Sequence, residues 1–167
     1  MSSSVVSQSA KTVTVFLAVF AAAGALWGLW RPAVTAVVSD SDGVAVDPST
    51  NGAPFQAFAV YAVATGLLGG LLGAWAFWRT PALRGPVSML AVVVLAFVGS
   101  VVFLVFGNYI ADAMTGEGLE GDVAPGDSLE IMTQISGAVG YLAAPAVAAI
   151  TYWACALFSP DEAFSRQ

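Results

Sequence analysis

Four long apolar runs, Val13–Trp30, Ala57–Trp78, Val87–Phe106 and Ile131–Phe158, contain no Asp, Glu, Lys, Arg or His. A bilayer core roughly 30 Å thick is crossed by about 20 apolar residues in a helix, which each run supplies, the first only just. Inside lipid the backbone must hydrogen-bond to itself, so runs of this kind become helices. The expected fold is all-α: a four-transmembrane-helix bundle, with helices over about 13–30, 57–78, 87–106 and 131–158. Only 10% of the 167 residues are charged, whereas soluble domains carry about 25%. The segments between the runs are too short to build a core of their own, so residues 1–167 read as a single integral membrane domain. A cleaved signal peptide would have a shorter apolar stretch and a small-residue cleavage site. Ala21–Ala22–Ala23 fits such a site, but the stretch ends in Trp27, Trp30 and Arg31, as a retained helix would.

The charges outside the runs differ in sign between the two sides. Lys11, Arg79, Arg84 and Arg166 fall on one side if the chain crosses four times. The other side holds Arg31 with Asp40, Asp42 and Asp47 in a first loop, and Asp112, Glu117, Glu120, Asp122, Asp127 and Glu130 in a second. Cytoplasmic ends of spans are enriched in Lys and Arg. Both termini are therefore expected in the cytoplasm and the two acidic loops outside, in a multi-pass protein of the inner (plasma) membrane. Trp27, Trp30, Trp75, Trp78 and Trp153 all lie near run ends, where an indole ring suits the headgroup level.

Lipid gives no hydrophobic drive for helix association, so close backbone approach at small residues has to supply it. The second run carries Ala62, Gly66, Gly70 and Ala74 at spacing four, with Gly69 and Gly73 beside them; the fourth carries Ser136, Gly140, Ala144 and Ala148. Two uses are open. The second and fourth helices pair with each other, or Gly66, Gly69, Gly70, Gly73, Ser136 and Gly140 pack against a helix of another protein. Pro145 should kink the fourth helix near its middle by removing a backbone hydrogen bond. The third helix, Val-rich and plain apart from Gly99–Ser100, is expected to face lipid over much of its circumference.

No constellation of reactive side chains is present. The chain has no His and one Cys, Cys155, so the usual ligands for haem, zinc or iron–sulfur centres are missing and no cofactor is expected. Asp40–Gly43 fails as an EF-hand loop, because position five is Val44 and the glycine comes too early; turn formation explains these residues better. Val44–Val46 between the turns is a candidate strand. The second loop is acidic and glycine-rich, and reads as a solvated linker, a cation-binding segment, or a docking surface through Asp112, Glu117, Glu120 and Asp122. No nucleophile–base pair or phosphate-cradling loop appears, so no catalytic or metal residues are assigned and no enzyme is expected. Five scattered basic residues give no nucleic-acid surface. Pumps and proton relays place ionisable groups inside the membrane; here Arg31 and Asp112 come closest, at opposite helix ends on one side, where an ion pair between them is possible.

Gly24–Ala25–Leu26–Trp27 with Arg31–Pro32, Val37–Val38 with Asp42–Gly43, Trp78–Arg79 and Arg84–Gly85–Pro86 resemble an uncharacterised family of small actinobacterial integral membrane proteins, a domain of unknown function. The resemblance covers the first three helices. It implies the same topology and an actinobacterial envelope, and brings no activity and no functional residues. The functional expectation is a non-catalytic accessory subunit of a larger inner-membrane complex, in a respiratory chain or envelope biosynthesis. Its partners would be the lipid bilayer and other integral membrane subunits. The alternative is a small homo-oligomeric transporter or channel with a polar path through Gln134, Ser136 and Thr151.

Overall fold

A computed structural model describes residues 3–32, 34–38, 44–46, 48–81, 84–115, 128–131 and 138–159. Helix α1 spans Ser3–Trp30, α2 Ala53–Arg79 and α3 Pro86–Thr115. Three stretches are long and apolar enough to cross a membrane: Ala10–Trp30 within α1, Pro48–Arg79, which takes in all of α2, and Pro86–Met114 within α3. The outward faces carry large apolar side chains, among them Leu26, Leu29, Leu67, Leu71, Leu90 and Val94. In water such a surface would be an aggregation site; against lipid tails it is the expected exterior. The helices thus give the chain the character of a membrane protein.

The helix ends are written locally. Pro54 stands in the first turn of α2, where its missing N–H has no intrahelical acceptor to lose, and Gln56 N–H bonds Gly52 O at 3.0 Å. At the other end Thr80 donates to Ala76 O from both its N–H (3.2 Å) and its hydroxyl (2.7 Å). Pro81 follows and cannot continue the helix. Arg84 then turns back: its Nε–H bonds Phe77 O at 3.1 Å while its guanidinium lies 4.2 Å from the Phe77 ring centroid. A cation over the final carbonyls of α2 complements the helix dipole.

The fourth apolar run departs from the expected single helix. Ser128–Ile131 is a strand, so Ile131 belongs to the sheet; residues 132–137, with Gln134 and Ser136, lie outside the described residues. Helix begins as a short turn, α4 (Ala138–Tyr141), breaks at Leu142, and resumes as α5 (Ala143–Leu157). Pro145 explains the position of the break. Three residues into α5 it sits in a first turn, where its own helix offers no acceptor for an N–H, rather than in mid-helix.

The three strands, β1 (Val34–Val38), β2 (Val44–Val46) and β3 (Ser128–Ile131), form an antiparallel sheet in the order β2-β1-β3. This sheet is an addition that an all-α expectation does not contain, although the Val44–Val46 strand was legible. Ala36 pairs with Val46 on one side and with Leu129 on the other. The loop after α1 and the loop before α4 are thereby stitched together at one end of the bundle.

Two seams hold the helices. In the first, α1 meets α3: a Cβ on Gly24 would overlap the Phe103 carbonyl and one on Gly28 the Gly107 carbonyl, so these backbones touch directly. In the second, α2 meets α5, with Gly69 against Ala144 O and Gly73 against Ala148 O. Helix α3 also packs on α5 and α2. Its Ala96, Ser100, Phe103 and Ala111 are fully buried on the side that meets the other helices, while Val87, Leu90, Val94, Val105 and Phe106 are exposed. Helix α3 is thus the hub of the bundle and still faces outward over much of its circumference, as expected from its valines.

Candidate functional site

Polar groups inside an apolar bundle need partners, and most of the buried ones here find backbone carbonyls. Thr65 Oγ1 donates to Tyr61 O at 2.8 Å, and the Tyr61 hydroxyl donates to Ser100 O at 3.3 Å. Ser100 Oγ lies 2.8 Å from Phe97 O and 3.3 Å from Tyr141 O. Tyr141 is four residues before Pro145, whose missing N–H would otherwise have bonded that carbonyl. The break in the last helix is therefore answered in part by a serine on α3, whose one proton is shared with Phe97 O. Gly140 belongs to the same contact, since a Cβ there would come 2.9 Å from the Tyr61 ring.

The exception lies where α1 ends. Arg31, the first residue beyond the Ala10–Trp30 stretch, is only 5% exposed. Its Nη1 donates to Asn108 Oδ1 on α3 at 2.7 Å, and its guanidinium carbon stands 5.0 Å from the Trp27 ring centroid. Trp27 is 4% exposed and packs by its ring on Phe103 (5.7 Å between centroids) and Tyr61 (6.0 Å). Two donors are left over: Arg31 Nη2 and Trp27 Nε1 are buried and have no hydrogen-bond partner among the described residues. Burial pushes the Arg31 guanidinium below its ordinary range, and the Asp112 carboxylate partly opposes this. Asp112 is exposed, one helical turn beyond Asn108. The Arg31–Asp112 pair expected from the sequence is thus a through-space interaction, and Asn108 supplies the direct contact.

Trp27 also corrects the expectation that every tryptophan anchors at a headgroup boundary. Trp30, Trp78 and Trp153 are exposed at helix ends, as an anchor would be, whereas Trp27 is a core residue. Asn108 was missed in the sequence. The available signal was the pair Asn108 and Asp112 at spacing four, facing the lone basic residue of that side. The Gly24–Gly28 pair is likewise a GxxxG by spacing, and the structure makes it a packing seam.

The small-residue positions proposed for a partner are used within the chain. Gly69 and Gly73 face the backbone of α5, Gly66 and Gly70 face Val147, and Gly140 faces Tyr61; Ser136 lies outside the described residues. Of the outer docking residues, Asp112 is exposed at the end of α3, and Glu117, Glu120 and Asp122 lie outside the described residues. No group of three or more His, Cys, Asp or Glu positioned to hold a metal ion occurs among the described residues. Compared with protein-family models, with curated proteins and with solved structures, the chain matches none.

Proposed function

We propose that this chain is a non-catalytic accessory subunit of a larger assembly in an inner (plasma) membrane, where it stabilises or positions other integral membrane subunits. One observation carries the reading: both helix seams are closed by backbone-on-backbone contact at Gly24, Gly28, Gly69 and Gly73. The polar residues Tyr61, Thr65 and Ser100 between the helices are spent on carbonyls of the same bundle. Among the described residues, seams closed in this way favour a structural role over transport by a single chain. With the glycine faces of α2 occupied, partner subunits would meet the outward apolar faces instead. Asp112 and the acidic segment after it would contact a partner's basic surface outside the membrane. Respiratory-chain and envelope-building complexes are the natural hosts.

The topology proposed with this role has four crossings and both termini in the cytoplasm. Helices α4 and α5 together run from Ala138 to Leu157, which at 1.5 Å per residue reaches about 30 Å, enough for a core of that thickness. Pairing of β1 with β3 puts the loops after α1 and after α3 at one end, in keeping with an even number of crossings between them.

The test is affinity purification of the tagged chain from native membranes in mild detergent, with mass spectrometry of what accompanies it. A stoichiometric set of other membrane subunits is the expected result. Recovery as a lone monomer would overturn the accessory role, and recovery as a homo-oligomer would favour the transporter reading and call for flux assays.

A further inference from the structure

From the two unpartnered donors at the end of α1 we infer that Arg31 Nη2 and Trp27 Nε1 form a binding site for a phosphate oxyanion. Both side chains are more than nine-tenths buried, and the guanidinium carbon lies 5.0 Å from the indole centroid, so the two unpartnered donors belong to side chains in contact. A buried cation whose direct polar contact is a neutral amide, and on which the Asp112 carboxylate acts only through space, is incompletely compensated. A buried donor without an acceptor carries a desolvation penalty. An anionic oxygen answers both deficits together. Its most available form at this depth is phosphate: Arg31 is the first residue past the apolar stretch, at headgroup level. The planar guanidinium fork matches phosphate oxygens, and an indole N–H only donates.

Exposed Trp30 precedes Arg31, and exposed Asp112 follows Asn108 by one turn, so the surface comes within about a turn of the buried donors. Asp112 is the competitor, since its carboxylate acts on Arg31 and would repel an incoming anion. The site is independent of the accessory role, and a lone monomer would carry it equally.

The phosphate could belong to a lipid headgroup or be free in solution, and the experiment separates the two. The full chain in mild detergent is titrated with phosphatidylglycerol and followed by native mass spectrometry; in parallel, thermal unfolding is followed with inorganic phosphate. Wild type is expected to retain one lipid adduct. Trp27→Phe, which removes the donor together with part of the aromatic surface, is expected to weaken it about tenfold, with the ligand-free Tm of the variant reporting the packing loss separately. Asp112→Asn is expected to tighten it. If phosphatidylglycerol gives no specific adduct but inorganic phosphate raises the Tm of wild type and not of Trp27→Phe, the site takes free phosphate. If Trp27→Phe matches wild type with both probes, the proposal is overturned. Arg31→Gln should abolish binding; should that variant not fold, Trp27→Phe decides alone.

Discussion

The hydroxyl of Ser100 stands 3.3 Å from the carbonyl oxygen of Tyr141, the oxygen that Pro145 leaves without a backbone donor. The same hydroxyl lies 2.8 Å from Phe97 O on its own helix, so its single proton is shared between the two carbonyls and gives the broken ladder a partial donor. Lipid-embedded bundles need such repairs because water is absent from the bilayer core.

Ser100→Ala removes the repair and should destabilise the bundle by about 1 kcal/mol, the size of an interhelical hydrogen bond in lipid. Pro145→Ala restores an N–H for Tyr141 O, so the same serine change should matter less in that background. Reversible unfolding of the four proteins of this double-mutant cycle gives the coupling. Equal effects of Ser100→Ala in both backgrounds would show that the hydroxyl is not serving Tyr141.

Neighbouring glycines of α2 should respond differently to alanine. At Gly69 the new methyl would strike the Ala144 backbone carbonyl, which cannot yield without moving α5. Overpacking of this kind costs about 1–3 kcal/mol or more. At Gly66 the nearest atom is Val147 Cγ2 at 3.4 Å, ordinary contact. Gly66→Ala should leave thermal stability within about 0.5 kcal/mol of wild type. If both variants were equally stable in detergent unfolding, α2 would not sit on α5 as described.

Asn108 and Asp112 flank the same cation in unequal ways. Asn108→Ala takes away the direct acceptor of buried Arg31 and should cost about 2–3 kcal/mol. Asp112→Asn acts through an exposed carboxylate, so its effect should stay below about 1 kcal/mol and fade as salt is raised. Unfolding at low and high ionic strength separates the two, and the reverse order would make Asp112 the true partner.

Arg84 combines a bond to Phe77 O with stacking on the Phe77 ring at 4.2 Å and an approach to the Trp78 ring at 5.9 Å. Arg84→Ala should loosen the turn between α2 and α3 and lower stability by about 1 kcal/mol. Arg84→Lys should recover only part of this, because an ammonium cannot stack as a plane. Hydrogen exchange at the last turn of α2 reports the loosening directly.

The apolar runs by themselves determined that the chain is helical and of membrane character, because length and the absence of charge are local properties that a bilayer reads one segment at a time. They also determined that the second and fourth helices could approach closely, since glycines at spacing four are visible without a fold. The strand at Val44–Val46 was legible from the turn residues around it; its partner β3 was not, because Ile131 is as apolar in a strand as in a helix. Only the tertiary structure decided that α3 is the hub, that Trp27 is core, and that Arg31 meets Asn108. Each of these depends on which face of a nearly uniformly apolar helix turns inward. A helix apolar all round carries no pattern to say so, and the choice falls to packing between residues such as Gly24 and Phe103 that stand far apart in sequence.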